Sequence, residues 1–76
     1  MDLKGRDKDV LNFIKKYMKE NGVTPTMREI GSGIGMRSTS SVHGHFMNLV
    51  ALGYIEQVRD KGDRYKVKGM EYVERD

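Results

Sequence analysis

Apolar residues recur at helical spacing as far as Leu52, and beyond Gly53 they alternate instead, imperfectly over 54–59 and cleanly over 64–68. A switch of period from 3.6 to 2 calls for helices first and a short antiparallel ribbon after them. All of this must fit in 76 residues, the length of one domain. A core that small leaves only ~3–5 kcal/mol of net stability unless something staples it. The chain has no cysteine, which removes disulfides and thiolate metal sites and makes a reducing compartment the expected setting. No apolar run approaches the ~20 residues needed to cross a bilayer. The start, Met1-Asp2-Leu3-Lys4, has no apolar region of signal-peptide kind, so the expected location is the cytoplasm.

The spacing predicts a first helix over about 5–21. Val10, Leu11, Phe13, Ile14, Tyr17 and Met18 fill one stripe, with Lys8, Asn12, Lys15, Lys16 and Lys19 opposite. Asp7 and Asp9 suit its positive end, Lys19 its negative end, and Asn21-Gly22 its stop. Val23-Thr24-Pro25 then turns the chain. Thr26-Met27-Arg28-Glu29 has the form of a capping box opening a short second helix, about 27–34, with Ile30 and Ile34 on one face. Gly31 and Gly33 each cost that helix roughly 1 kcal/mol relative to alanine, so it needs tertiary support. After the tight turn Gly35-Met36-Arg37, Ser38 caps a third helix, about 39–52, ended by Gly53. Val42, Phe46, Leu49, Val50 and Leu52 are its expected inner stripe, and Ser40, Ser41, Gly44, Met47 and Asn48 its outer side. Tyr54–Arg59 and Arg64–Lys68 flank Asp60-Lys61-Gly62-Asp63 as a β-hairpin, a wing over about 54–68. The tail, 69–76, with Met70, Tyr72 and Val73, reads equally as a third strand, a helical turn or a surface for a partner. The expected fold is thus mainly α with a small β-hairpin, a three-helix winged helix-turn-helix.

Charge placement points to a use. The net charge is +3, a mild bias that alone decides nothing. From Ile30 to Ile55, however, the chain has no acidic residue, while it carries Arg37, His43 and His45. A solvated helix face ordinarily bears mixed charges. Here the exposed positions of the third helix's first two turns are Ser40, Ser41, His43 and Gly44, small and neutral. Groups of that kind suit close approach to base edges in a major groove. Ser38 and the free amides of the helix start offer a phosphate site, helped by the helix dipole. The plainer alternative is that Ser38-Thr39-Ser40-Ser41 is only a flexible cap.

Four runs carry a family resemblance. They are Val10-Leu11-Asn12-Phe13-Ile14, then Gly22-Val23-Thr24-Pro25-Thr26-Met27-Arg28-Glu29-Ile30-Gly31, then Arg37-Ser38-Thr39-Ser40-Ser41-Val42-His43-Gly44-His45-Phe46, completed by Leu52-Gly53-Tyr54-Ile55-Glu56. Together they resemble the N-terminal DNA-binding domain of the LexA repressor family, most closely its Gram-positive version, from about Leu3 to Val67. The resemblance implies a transcriptional repressor that binds double-stranded DNA at an inverted-repeat operator, with a possible homodimer on the DNA. It implies base reading by Ser40, Ser41, His43 and Gly44, with Ser38 and Thr39 where the helix meets the backbone. Backbone contacts would fall on Thr26, Arg28 and Arg37, and wing contacts near Lys61 and Arg64. The family's self-cleaving peptidase domain, which supplies most of its dimerisation, has no counterpart in this length. The resemblance therefore brings no proteolytic role, and how two copies pair is open, as is whether the chain is free-standing, perhaps of phage type, or an excised domain. Lys4 stands where a Ser or Thr cap is expected.

Other chemistry has little support. His43 and His45, two apart, project about 160–200° from each other on a helix and do not share one ion. His45 borders the inner stripe and is expected to pack there with a satisfied hydrogen bond. Gly31-x-Gly33 with Gly35 resembles a phosphate loop only loosely, since no strand precedes it and no Lys-Ser or Lys-Thr pair follows. Close helix–helix approach explains the glycines better. No serine has a base oriented by an acid, so no enzyme, metal or cofactor is expected. The remaining rival is a winged helix used as a protein-interaction module, and the acid-free recognition face argues against it, because an interaction face more often shows an aromatic or aliphatic anchor.

Overall fold

A computed structural model of the chain describes residues 5–57 and 65–68. Helix α1 spans Gly5–Asn21, α2 Met27–Ile34 and α3 Thr39–Ala51; strands β1, Ile55–Gln57, and β2, Tyr65–Val67, follow. The two strands pair antiparallel with Ile55 opposite Val67, Glu56 opposite Lys66 and Gln57 opposite Tyr65. The Lys68 amide donates to the Tyr54 carbonyl at 2.9 Å, one further rung of this ladder. The fold is the expected winged helix-turn-helix, with Tyr54 and Lys68 just outside the strands. The expected wing residues Val58, Arg59 and Arg64 lie outside the described residues, as do Lys4 and the 69–76 tail.

One apolar cluster joins all five elements. Val10, Leu11, Ile14 and Met18 come from α1, Ile30 from α2, and Val42, Phe46 and Leu49 from α3; Ile55, Tyr65 and Val67 close it from the strands. Phe13, Ile34, Val50 and Tyr54 pack around its edge, only half-buried. At ~1.5–3 kcal/mol per fully buried aliphatic or aromatic side chain, this burial is the main term against chain entropy. In β2 the side chains alternate in and out, whereas β1 buries only Ile55.

The local stops are those that glycine permits. Gly53, at φ +87°, follows the C-cap Leu52. Its amide reaches Val50 O at 3.1 Å, and the Tyr54 amide reaches Leu49 O at 2.9 Å. This bond pair is a Schellman motif, and it turns the chain from α3 into β1. It also corrects one expectation: Leu52 is not on the inner stripe but 56% exposed, because the helix has already ended at Ala51. The cap position swings its side chain out and leaves Tyr54 to pack inward.

The two glycines inside α2 permit tight packing. A Cβ on Gly31 would stand 2.8 Å from the Met36 carbonyl oxygen and 3.3 Å from Val42 Cγ2, and one on Gly33 would strike the Phe13 ring. Close approach of α1 and α3 to α2 therefore accounts for both residues.

Candidate nucleic-acid interface

Helix α3 is fixed from three sides. Its inner residues Val42, Phe46 and Leu49 are buried. His45 Nδ1 meets Asp7 Oδ1 of α1 at 2.7 Å, so the expected half-buried, hydrogen-bonded histidine is observed, with a partner 38 residues away. The Phe46 ring meets Tyr65 of β2 edge-on, with centroids 4.7 Å apart, and the Tyr65 hydroxyl donates to the Pro25 carbonyl at 2.8 Å. Sequence spacing did not reveal these links. A buried phenol always needs a partner, but nothing local to Tyr65 names Pro25.

The opposite side of α3 is bare. At 100° per residue, Ser40, Gly44, Met47 and Ala51 fall within about 60° of one another, facing away from the Val42–Phe46–Leu49 stripe. All four are exposed, as are Ser41 and His43 on the two flanks and Asn48 beside them. Nothing lies within 4 Å of where a Gly44 Cβ would be, so the helix backbone itself is open there. The His43 imidazole lies against Phe46, with centroids 6.2 Å apart and planes 24° from parallel, and stays exposed. The first turn of α3 has no acidic residue.

The proposed backbone-contacting residues sit around the starts of α2 and α3. Thr26 is the N-cap of α2. Its hydroxyl accepts from the Glu29 amide at 3.1 Å and its own amide donates to Glu29 Oε1 at 2.8 Å, so the capping box is complete. The Glu29 carboxylate also accepts from the Tyr17 hydroxyl at 2.8 Å. Hydrogen bonds from the Thr26 amide and then Tyr17 hold the Glu29 carboxyl below the ordinary glutamate range, while the bond to Glu29 pushes the Tyr17 phenol up. Arg28 in the first turn of α2 and Arg37 in the α2–α3 turn are exposed, and among the described residues neither engages a carboxylate. Ser38 caps α3, its hydroxyl accepting from the Ser41 amide at 3.3 Å, and Thr39 follows it, exposed. Arg6 is occupied elsewhere: its guanidinium donates to Ile34 O at 3.0 Å, at the end of α2. Lys61 and Arg64 lie outside the described residues.

The sequence that builds this exposed helix face matches a known family over most of the chain. A model of the LexA DNA binding domain matches residues 1–63. The chain belongs to the LexA DNA-binding domain family. Among LexA relatives, the LexA repressor of Carboxydothermus hydrogenoformans is 46% identical over 55 residues, which cover 72% of this chain and 27% of that protein. The LexA repressor of Bacillus cytotoxicus is 41% identical over 69 residues, 91% of this chain and 34% of the relative. That of a Geobacillus species is 39% identical over 74 residues, 97% of this chain and 33% of the relative. The chain thus spans about a third of the length of the LexA repressors it matches.

Proposed function

We propose that this LexA-family domain binds double-stranded DNA sequence-specifically and serves as a transcriptional repressor module, with α3 in the major groove. The observation that carries the reading is the outer face of α3: exposed, free of Lys, Arg, Asp and Glu, and backed by the anchors Val42, Phe46, Leu49 and His45. Ser40, Ser41, His43 and Gly44 would read base edges. The two serines offer a donor and an acceptor each, the imidazole a ring nitrogen, and Gly44 lets the backbone come close. Thr26, Arg28, Arg37, Ser38 and Thr39 would hold the sugar-phosphate backbone, joined by Lys61 and Arg64 from the wing. At the start of α3 the dipole and the unused amides favour an anion, and no nearby carboxylate in that turn opposes it.

One such module buries only ~600–1,000 Å² on DNA, so a lone copy binds weakly. Two copies on an inverted repeat would supply the rest, which is the arrangement proposed here. The proposed setting is the cytoplasm of a bacterium or phage-infected cell; no described helix is long and apolar enough to cross a membrane. The proposal is tested by selection of bound duplexes from a random pool. Enrichment of a motif with symmetric half-sites is expected. A pool that stays random would refute the reading and favour a protein-docking winged helix.

A further inference from the structure

The midline of the exposed α3 face carries one long side chain. Ser40, Gly44 and Ala51 are small, and Met47 stands among them, 37% exposed and outside the core cluster. Relative to Ser40, His43 and Gly44 it completes the spacing i, i+3, i+4, i+7. That spacing keeps four successive positions on one face of a helix, and a helix lying in a groove reads with such a face. Ser40 and Met47 are separated by about 10 Å along the axis at 1.5 Å per residue, comparable with a major groove ~12 Å wide. A helix laid along the groove therefore brings both within reach of it.

The chemistry of the side chain narrows what it can meet there. A thioether donates no hydrogen bond and is only a weak acceptor, so it cannot substitute for Asn or Arg in reading polar base edges. In the major groove the apolar feature is the C5 methyl of thymine, which apolar side chains contact. Met47 is also unbranched and has three rotatable bonds, so it can settle on a methyl group without imposing a single rotamer. Its neighbours do not compete: Gly44 has no side chain, and Ala51 is too short to reach as far.

We infer that Met47 is a specificity-determining residue that reads a thymine methyl, one helical turn beyond the positions contacted by His43 and Gly44. The inference rests on the DNA-binding reading above and extends it to a fifth base-reading position.

The test uses the duplex that the 76-residue chain selects from a random pool. Each thymine of the half-site is replaced in turn by deoxyuridine, which removes only the methyl. At one position the wild-type chain should bind the uracil duplex ~3–5-fold more weakly, the value of one buried methyl group. Met47→Ala should bind the thymine duplex weakly by a similar factor and show no further loss with uracil, while Met47→Leu should retain the difference. Unchanged circular dichroism and unchanged binding to unrelated duplex DNA separate this effect from misfolding. The inference is overturned if Met47→Ala keeps the wild-type thymine-to-uracil ratio at every position, or if no position is methyl-sensitive. A pool without enrichment overturns the DNA-binding reading itself, whereas an enriched half-site insensitive to methyl removal overturns only the role of Met47.

Discussion

His45 Nδ1 and Asp7 Oδ1 stand 2.7 Å apart, tying the middle of α3 to the first turn of α1. Both side chains are partly sheltered, 31% and 23% exposed, so the contact is neither a screened surface pair nor a buried one. It adds a polar anchor to a helix seated by the apolar packing of Val42, Phe46 and Leu49. Removing either partner with Asp7→Asn or His45→Gln should cost ~0.5–1.5 kcal/mol in urea unfolding. The double variant should cost less than the sum. Strict additivity would show that the two groups do not interact in solution.

Gly31 and Gly33 should respond differently to alanine. Helix propensity alone favours both substitutions by roughly 1 kcal/mol. At Gly31 the new methyl meets the Met36 backbone oxygen and Val42, neither of which can move cheaply, so a net loss of ~1–3 kcal/mol is expected. At Gly33 it meets the ring of Phe13, which is half-buried at the edge of the core and can turn aside, so the loss should be smaller. Thermal unfolding of the two variants side by side checks the order.

Glu29 should make the domain acid-sensitive. Its carboxyl is held below the ordinary range by the Thr26 amide and the Tyr17 hydroxyl, so in acid the folded chain binds fewer protons than the unfolded one. Stability from this source is therefore complete above the unfolded glutamate range and declines as pH falls through the lowered folded value. Urea midpoints across the acid range should fall less steeply for Glu29→Gln than for the wild type, and Tyr17→Phe should lie between them.

Two groups of DNA variants should separate. Ser41→Ala or His43→Ala should weaken binding to the selected site by ~1–3 kcal/mol and broaden base preference. Arg37→Ala or Lys61→Ala should weaken binding to every sequence and reduce the salt slope by about one. Titrations on the selected and an unrelated duplex at several salt concentrations distinguish them, and identical behaviour of the two groups would overturn the assigned roles.

Leu52 offers a simple check on the end of α3. Because it is exposed at the C-cap, Leu52→Gln should change stability by no more than ~0.5 kcal/mol, whereas Leu49→Ala should cost ~2–5 kcal/mol. Chemical denaturation of both variants decides it.

Much of this architecture is readable from local signals. The stripe from Val10 to Met18, the Thr26–Glu29 box, the Ser38 cap and the stop at Gly53 are each set by residues within one or two turns, and each is present in the structure. Leu52 was misread for a related reason: periodicity assumes that the helix continues, and a cap breaks the period one residue early. The bare outer side of α3 was legible from residue types alone. What joins that side to the rest was not, because Asp7–His45, Tyr17–Glu29 and Pro25–Tyr65 link positions 38, 12 and 40 residues apart, and no spacing rule spans such separations. The contribution of Lys61 and Arg64 also lies beyond local reading, since loop chemistry says little of where a tip will point.

The bond from the Tyr65 hydroxyl to the Pro25 carbonyl ties the β1–β2 ladder to the segment joining α1 and α2, and does so at the Gln57–Tyr65 pair, the last described pair before the stretch 58–64. A ladder clamped there cannot swivel against the bundle, so a change in the length of the stretch 58–64 would not tilt the helical frame. Relatives would then be free to differ in that stretch while α3 kept the same aim.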